Sequence, residues 1–136
     1  MTLRVREYSS ADLEVLRGMH ERQGFDYTFP DLADPIFISK LVVEDATGCP
    51  VMASLARLTC EMYLLADRVR QNPRERFESL LALHGAGEQD LRARGLDVAH
   101  AWLPPPIARR FGRRLEALGW VRDDHWTPYC RRITPL

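Results

Sequence analysis

Apolar and polar positions alternate from Leu3 to Tyr8, which predicts a short first strand. Ser9 and Ser10 then offer N-cap oxygens, and Asp12 and Glu14 fall in a first helical turn, where the helix dipole favours carboxylates. Leu13, Leu16 and Met19 or His20 recur at helical spacing and carry that helix to about Gly24. The segment from Phe25 to Pro35 is rich in Asp, Pro and aromatic residues and has no clear period, so it reads as a loop or a short, irregular helix. Phe37 to Glu44 reads as a strand with Phe37, Leu41 and Val43 on one face, and Asp45-Ala46-Thr47-Gly48 as a turn. Val51 to Ala66 is β-prone throughout but too long for one ordinary strand. Two antiparallel strands, parted near Leu58 to Glu61, are predicted there.

After the polar stretch Asp67 to Asn72, Pro73 suits the first position of a helix. Phe77, Leu80, Leu81, His84 and Leu91 lie along one side of it. Gly85 and Gly87 weaken its middle by about 1 kcal/mol each relative to alanine, so a kink or break is expected there. Gly95 ends it. Asp97 to Leu103 reads as a strand, with Val98, His100 and Trp102 on one face. Pro104-Pro105-Pro106 breaks the chain. From Ile107 to Leu118 a helix is predicted, with Ile107, Phe111, Leu115 and Leu118 as its apolar stripe. Arg109, Arg110, Arg113, Arg114 and Glu116 lie away from that stripe and read as a solvated face. Val121 to Ile133 reads as a final strand or hairpin. Antiparallel strands followed by strand–helix–strand–helix–strand give an α+β fold: a mixed, mostly antiparallel central sheet flanked by helices. The crossover from the fourth strand through the Pro73 helix to the fifth makes those two strands parallel.

A chain of 136 residues suits one domain spanning 1–136. Hydrophobic content of 46% and charged content of 28% are those of a soluble globular protein. Formal net charge is zero, so no long-range field favours nucleic acid or an anionic membrane. Cys49, Cys60 and Cys130 are too few and too scattered for a disulfide framework or a zinc ribbon. His20, His84, His100 and His125 fall on four different elements, without zinc-ligand spacing. The alternating first residues do not make a signal peptide, and no apolar run approaches the roughly 20 residues that span a bilayer. A cytoplasmic protein is the expectation.

Three local sequences carry a family resemblance: Glu61-Met62-Tyr63-Leu64-Leu65-Ala66, Leu91-Arg92-Ala93-Arg94-Gly95-Leu96 and Leu115-Glu116-Ala117-Leu118-Gly119-Trp120. With the order of elements around them they resemble the fourth strand and the ends of the third and fourth helices of the GNAT superfamily of N-acetyltransferases. The resemblance spans almost the whole chain. It implies a GNAT-like fold and transfer of an acyl group from acetyl-CoA or another acyl-CoA to a small-molecule or peptide amine. It implies Glu61 as the base that deprotonates the amine, and backbone N–H groups at Leu64, Leu65 and Ala66 as donors to the thioester carbonyl. In the family the pyrophosphate rests on a glycine-rich loop at the start of the third helix. Here that place reads Arg74-Glu75-Arg76-Phe77-Glu78-Ser79 and has no glycine. Arg68, Arg70, Gln71, Arg74 and Arg76 would have to hold the phosphates through their side chains. Leu115 stands where the family often has a tyrosine acid, and Tyr129 is the candidate replacement. Two other readings stay open. One is a non-catalytic scaffold that binds a protein partner or forms a homodimer. The other is a module for a different phosphate-bearing ligand.

Overall fold

The computed structural model describes residues 2–134. They divide into two compact units, one ending at His100 and the other beginning at Ala101.

The first unit is built on a three-stranded antiparallel sheet in the order β1 (Arg4–Glu7), β2 (Phe37–Glu44), β3 (Pro50–Arg57). Between β1 and β2 a single 3-10 turn at Ser10–Asp12 leads into helix α1 (Leu13–Gln23). Ser9 is the N-cap of this turn, and Asp12, its third residue, completes a capping box by accepting a hydrogen bond from the Ser9 backbone N–H at 2.9 Å. Gly24 stops α1 in the left-handed conformation at φ 70°, and its N–H donates to the carbonyls of His20 and Glu21. Leu16 of α1 then lies on Val42 of β2, and with Leu32 these form the core, each at most 4% exposed.

The register explains which side chains meet α1. Arg6 pairs with Val42, and Val42 with Ala53, so all three share the face that α1 covers. A register shift between Phe37 and Ser39 alters the alternation in β2. Phe37 therefore packs on the core with Val42, while Leu41 is turned out and 41% exposed. The expected grouping of Phe37 with Leu41 and Val43 on one face is corrected by that irregularity.

The segment 25–36 contains no helix. Its carboxylates fold it instead. Asp31 accepts from the Ala33 N–H, and Asp34 from the Ile36 N–H at 2.9 Å. These turns press Leu32 and Ile36 into the interior. Lys40, the single lysine, donates to the Leu32 carbonyl at 2.7 Å and fixes the loop to β2.

The long β-prone run does divide where the sequence suggests. β4 (Cys60–Glu61) follows two residues after β3 but pairs with β5 (Ala99–His100), in parallel, rather than folding back on β3. The crossover contains α2 (Pro73–Ala93), which runs unbroken through Gly85 and Gly87, so the expected kink is absent. Asn72 caps its start, and Gly95, at φ 83°, ends it. Met62 N–H donates to the His100 carbonyl at 2.8 Å as the last bond of this short ladder. β5 is two residues long, where seven were expected.

The second unit is α3 (Pro105–Ala117) with the segments around it. Phe111, Leu115 and Leu118 are its half-buried stripe, and Arg109, Arg110, Arg113 and Arg114 are exposed, as the period predicts, but Ile107, expected in the stripe, sits in the first turn and is exposed. The last predicted strand does not form: no residue from Val121 to Thr134 is in a strand. Asp123 accepts from the His125 N–H, which makes a turn, and Pro128 has no N–H to give to a ladder. No helix among the described residues is long and apolar enough to cross a membrane.

Two predictions follow from this packing. Leu16→Ala removes the helix side of the core and lowers unfolding free energy by about 2–5 kcal/mol, measured by urea denaturation. The second concerns Asp12, whose carboxyl is lowered from its ordinary 3.8 to about 2, first by hydrogen bonds from Arg6 and then by the Ser9 N–H. A carboxylate with a depressed folded-state value stabilises the fold above its ordinary range and loses that stabilisation as pH falls through the folded-state value. The urea midpoint therefore holds down to about pH 4 and drops towards about pH 2, and Asp12→Asn flattens that drop.

Candidate functional site

Two regions of the first unit bring polar chemistry together, and both need the fold to be assembled. One is the end of β4 with the start of α2. The other is a cleft between α1, the loop 25–30 and the α1-covered face of β3.

At β4 the ladder holds the backbone of Glu61 opposite His100 and leaves the Glu61 side chain exposed. Tyr63, two residues on, has its phenol raised above the ordinary value by the Glu61 charge and by a hydrogen bond with that carboxylate. Tyr63 is thus the tyrosine that the fold sets beside Glu61, and sequence reasoning missed it. The signal was the two-residue spacing, which puts both side chains on one side of an extended chain. Tyr129 lies in the second unit, on a segment without strand structure, and is 94% exposed. Beyond Met62 the chain leaves the ladder, and the N–H groups of Leu64, Leu65 and Ala66 make no backbone hydrogen bond among the described residues.

The start of α2 is different, because its donors are largely used. Asn72 Oδ1 accepts from the Glu75 N–H at 2.9 Å, and Glu75 in turn accepts from the Asn72 N–H. Arg76 N–H donates to the Asn72 carbonyl. The arginines there are also engaged. Arg76 Nη1 donates to the carbonyls of Gln71 and Arg68, at 2.6 and 3.3 Å, and Arg74 pairs with Glu78. Gln71 Nε2 donates to Ser79 Oγ at 2.8 Å. Asp67 accepts from the N–H groups of Val69 and Arg70. Of the predicted phosphate set, the side chains of Arg68 and Arg70 alone make no hydrogen bond or ion pair among the described residues.

The cleft has a volume of about 710 Å³, within the range of small-molecule sites. Its floor is Leu16, Met19 and Leu55, and its walls include Tyr27, Phe29 and Phe37. Tyr27 is stacked on Phe25 with centroids 5.7 Å apart, and the His20 ring meets Tyr27 edge-on at 4.8 Å. His20 Nε2 is buried and has no hydrogen-bond partner among the described residues. Arg22 and Arg57 line the cleft, and no carboxylate does. Arg57 is in an ion pair with Asp97, just ahead of β5. No group of three or more His, Cys, Asp or Glu side chains that could hold a metal ion occurs among the described residues.

Set against known proteins, the chain matches no family model, no curated protein and no solved structure.

The Glu61–Tyr63 contact is directly measurable. Glu61→Gln removes the neighbouring negative charge and brings the Tyr63 phenol down towards its ordinary value. A ¹³C-tyrosine NMR titration shows one phenol, that of Tyr63, titrating at lower pH in the variant, with the other tyrosines unmoved.

Proposed function

We propose that the chain is an acyl-CoA-dependent N-acyltransferase built on a GNAT-like scaffold. The observation that carries this reading is the parallel β4–β5 pair closed over the capped α2 crossover, with unbonded N–H groups just past its end at Leu64, Leu65 and Ala66. A thioester carbonyl needs such donors where charge develops in the tetrahedral transition state. The acyl group passes from the sulfur of acetyl-CoA or another acyl-CoA to the nitrogen of a small-molecule or peptide amine. The amine attacks the carbonyl carbon, the C–S bond breaks, and the thiolate leaves. Glu61 takes the proton from the amine, directly or through one water. Tyr63 supplies a proton to the departing thiolate, a task assigned to Tyr129 by sequence alone. The Glu61 charge raises the Tyr63 phenol above its ordinary value and so keeps it protonated until sulfur needs the proton. Arg68 and Arg70 are the cations left to meet the pyrophosphate.

A second reading has its own observation in favour. The α2 start satisfies its own N–H groups through Asn72 and Glu75, which is how a helix without a phosphate ligand is finished. On that reading the domain keeps the scaffold and binds a ligand without acyl transfer.

Calorimetric titration of the purified protein with acetyl-CoA, and with free CoA as a second ligand, separates the two. Micromolar binding supports the acyltransferase. A folded protein that binds neither up to millimolar concentration is the non-catalytic scaffold. If it is active, Glu61→Gln lowers kcat by about 10²-fold, the ordinary weight of a positioned base, with CoA affinity unchanged.

A further inference from the structure

The zero net charge is not spread evenly along the chain. Through His100, sixteen carboxylate side chains outnumber twelve cations; from Ala101, seven arginines outnumber three carboxylates. The second unit thus carries a local excess of positive charge, and much of it gathers on α3. On α2 the arginines are answered one helical turn away: Arg74 by Glu78, Arg92 by Glu88 and Arg94 by Asp90. On α3 the positions one turn before Arg109 and Arg110 are Pro105 and Pro106, and those one turn after are Arg113 and Arg114. Like charges at that spacing oppose the helix, and an anion brought against them relieves the repulsion. Glu116 is the one carboxylate of α3, and Arg109, Arg110 and Arg113 make no hydrogen bond or ion pair among the described residues. Apolar surface lies beside this charge. Ile107 stands three residues before Arg110, on the same side of the helix, and is 48% exposed. Arg110 lies between Ile107 and Arg113 around the helix. Trp102 ahead of α3, and Val121, Trp126 and Ile133 after it, are exposed as well.

We propose that α3 docks on the surface of an anionic phospholipid bilayer, with Arg110 and Arg113 on headgroup phosphates and Ile107 set between the headgroups. A guanidinium gives a phosphate two parallel N–H donors, and its long stem lets the charge reach the headgroup layer from a helix lying lower. A bilayer surface offers anions and an apolar layer together, which is what arginine beside exposed isoleucine and valine calls for. The backbone of a nucleic acid offers the anions without that layer. At thirteen residues α3 is about 20 Å long, so it lies on the membrane and does not span it. The balanced charge of the whole chain leaves no long-range attraction, and the contact acts within about 8 Å at physiological salt. Acyl transfer takes no part in this docking.

Flotation of the full chain with lipid vesicles tests the docking. Vesicles of phosphatidylcholine alone are compared with vesicles that are about one-third phosphatidylglycerol, without CoA. The expected result is binding to the phosphatidylglycerol vesicles at least about tenfold tighter than to phosphatidylcholine, lost at about 1 M salt, where charges are screened within about 3 Å. The tryptophan emission moves to the blue on binding. The double variant Arg110→Gln with Arg113→Gln keeps good helix formers and weakens binding roughly thirtyfold. Ile107→Ser, an exposed first-turn change, weakens it several-fold. Arg92→Gln with Arg94→Gln removes the same charge from α2 and leaves vesicle binding as in the parent. Far-UV circular dichroism checks that each variant is folded. The proposal is overturned if the folded protein does not distinguish the two kinds of vesicle, or if either α3 variant binds as the parent does. An equal loss in the α2 variant also overturns it, because net charge alone would then govern binding. Tighter binding of a short oligothymidylate, lost in the Arg110 and Arg113 variant, overturns it too and gives the face to single-stranded nucleic acid.

Discussion

The guanidinium of Arg6 is the constraint on which the first unit turns. Its two terminal nitrogens each donate to one oxygen of Asp12 at 2.8 Å, and its Nε donates to Glu44 at 2.6 Å. One side chain from β1 thus grips both the start of α1 and the end of β2. The planar fork makes this arrangement, and a lysine ammonium could not form the parallel pair. Asp12 is only 5% exposed, so its charge has been taken out of water and has to be answered by these bonds. The consequence is positional. With Asp12 held, α1 begins at Leu13 and lays Leu16 on Val42. With Glu44 held, β1 cannot slip on β2 by one residue, a slip that would turn every side chain of β1 to the other face.

Zero net charge hides how the charge is distributed. Exposed ion pairs such as Arg92–Glu88 contribute between nothing and about 1 kcal/mol each, so they do little for stability. Their effect is to silence most arginines as ligand-binding groups. The α2 start is the clearest case: a sequence rich in arginine looks ready for phosphate, yet in the fold Arg76 is spent on carbonyls and Arg74 on Glu78.

The helices were legible because their signals are local. Pro73 after Asn72, the Leu13–Leu16–Met19 period, and Gly24, Gly95 and Gly119 at the ends act within a turn or two of chain. Of the strand pairings, the parallel partnership of β4 and β5 across the Pro73 helix was legible, whereas the expected antiparallel return of β4 on β3 does not form. Leu41 was misread because one irregularity near Ser39 shifts the alternation, and a period of two cannot show it. The tail from Val121 to Thr134 was misread because apolar and aromatic residues suggested a strand, while the turn at Asp123 and the missing donor at Pro128 decide against one. Of the site, Glu61 was legible as a strand residue, and Tyr63 could have been. The cleft could not have been, since its walls depend on Asp31 and Asp34 folding the loop so that Leu32 and Ile36 bury themselves.

Arg57 shows how the two regions of the first unit are coupled. It ends β3 and lines the cleft, and its ion pair with Asp97 ties that strand to the approach to β5. The β4–β5 ladder is only two residue pairs long, so its own hydrogen bonds hold it weakly. An anchor at Asp97 adds a tie at one end, two residues before Ala99 enters the ladder. Both groups of the pair are partly exposed, which keeps its contribution small and sensitive to salt. Its effect is to join the end of β3 to the residue two places before β5. A shift of either strand would be felt at both places, because Thr59 and Leu58 are the only residues between β3 and β4.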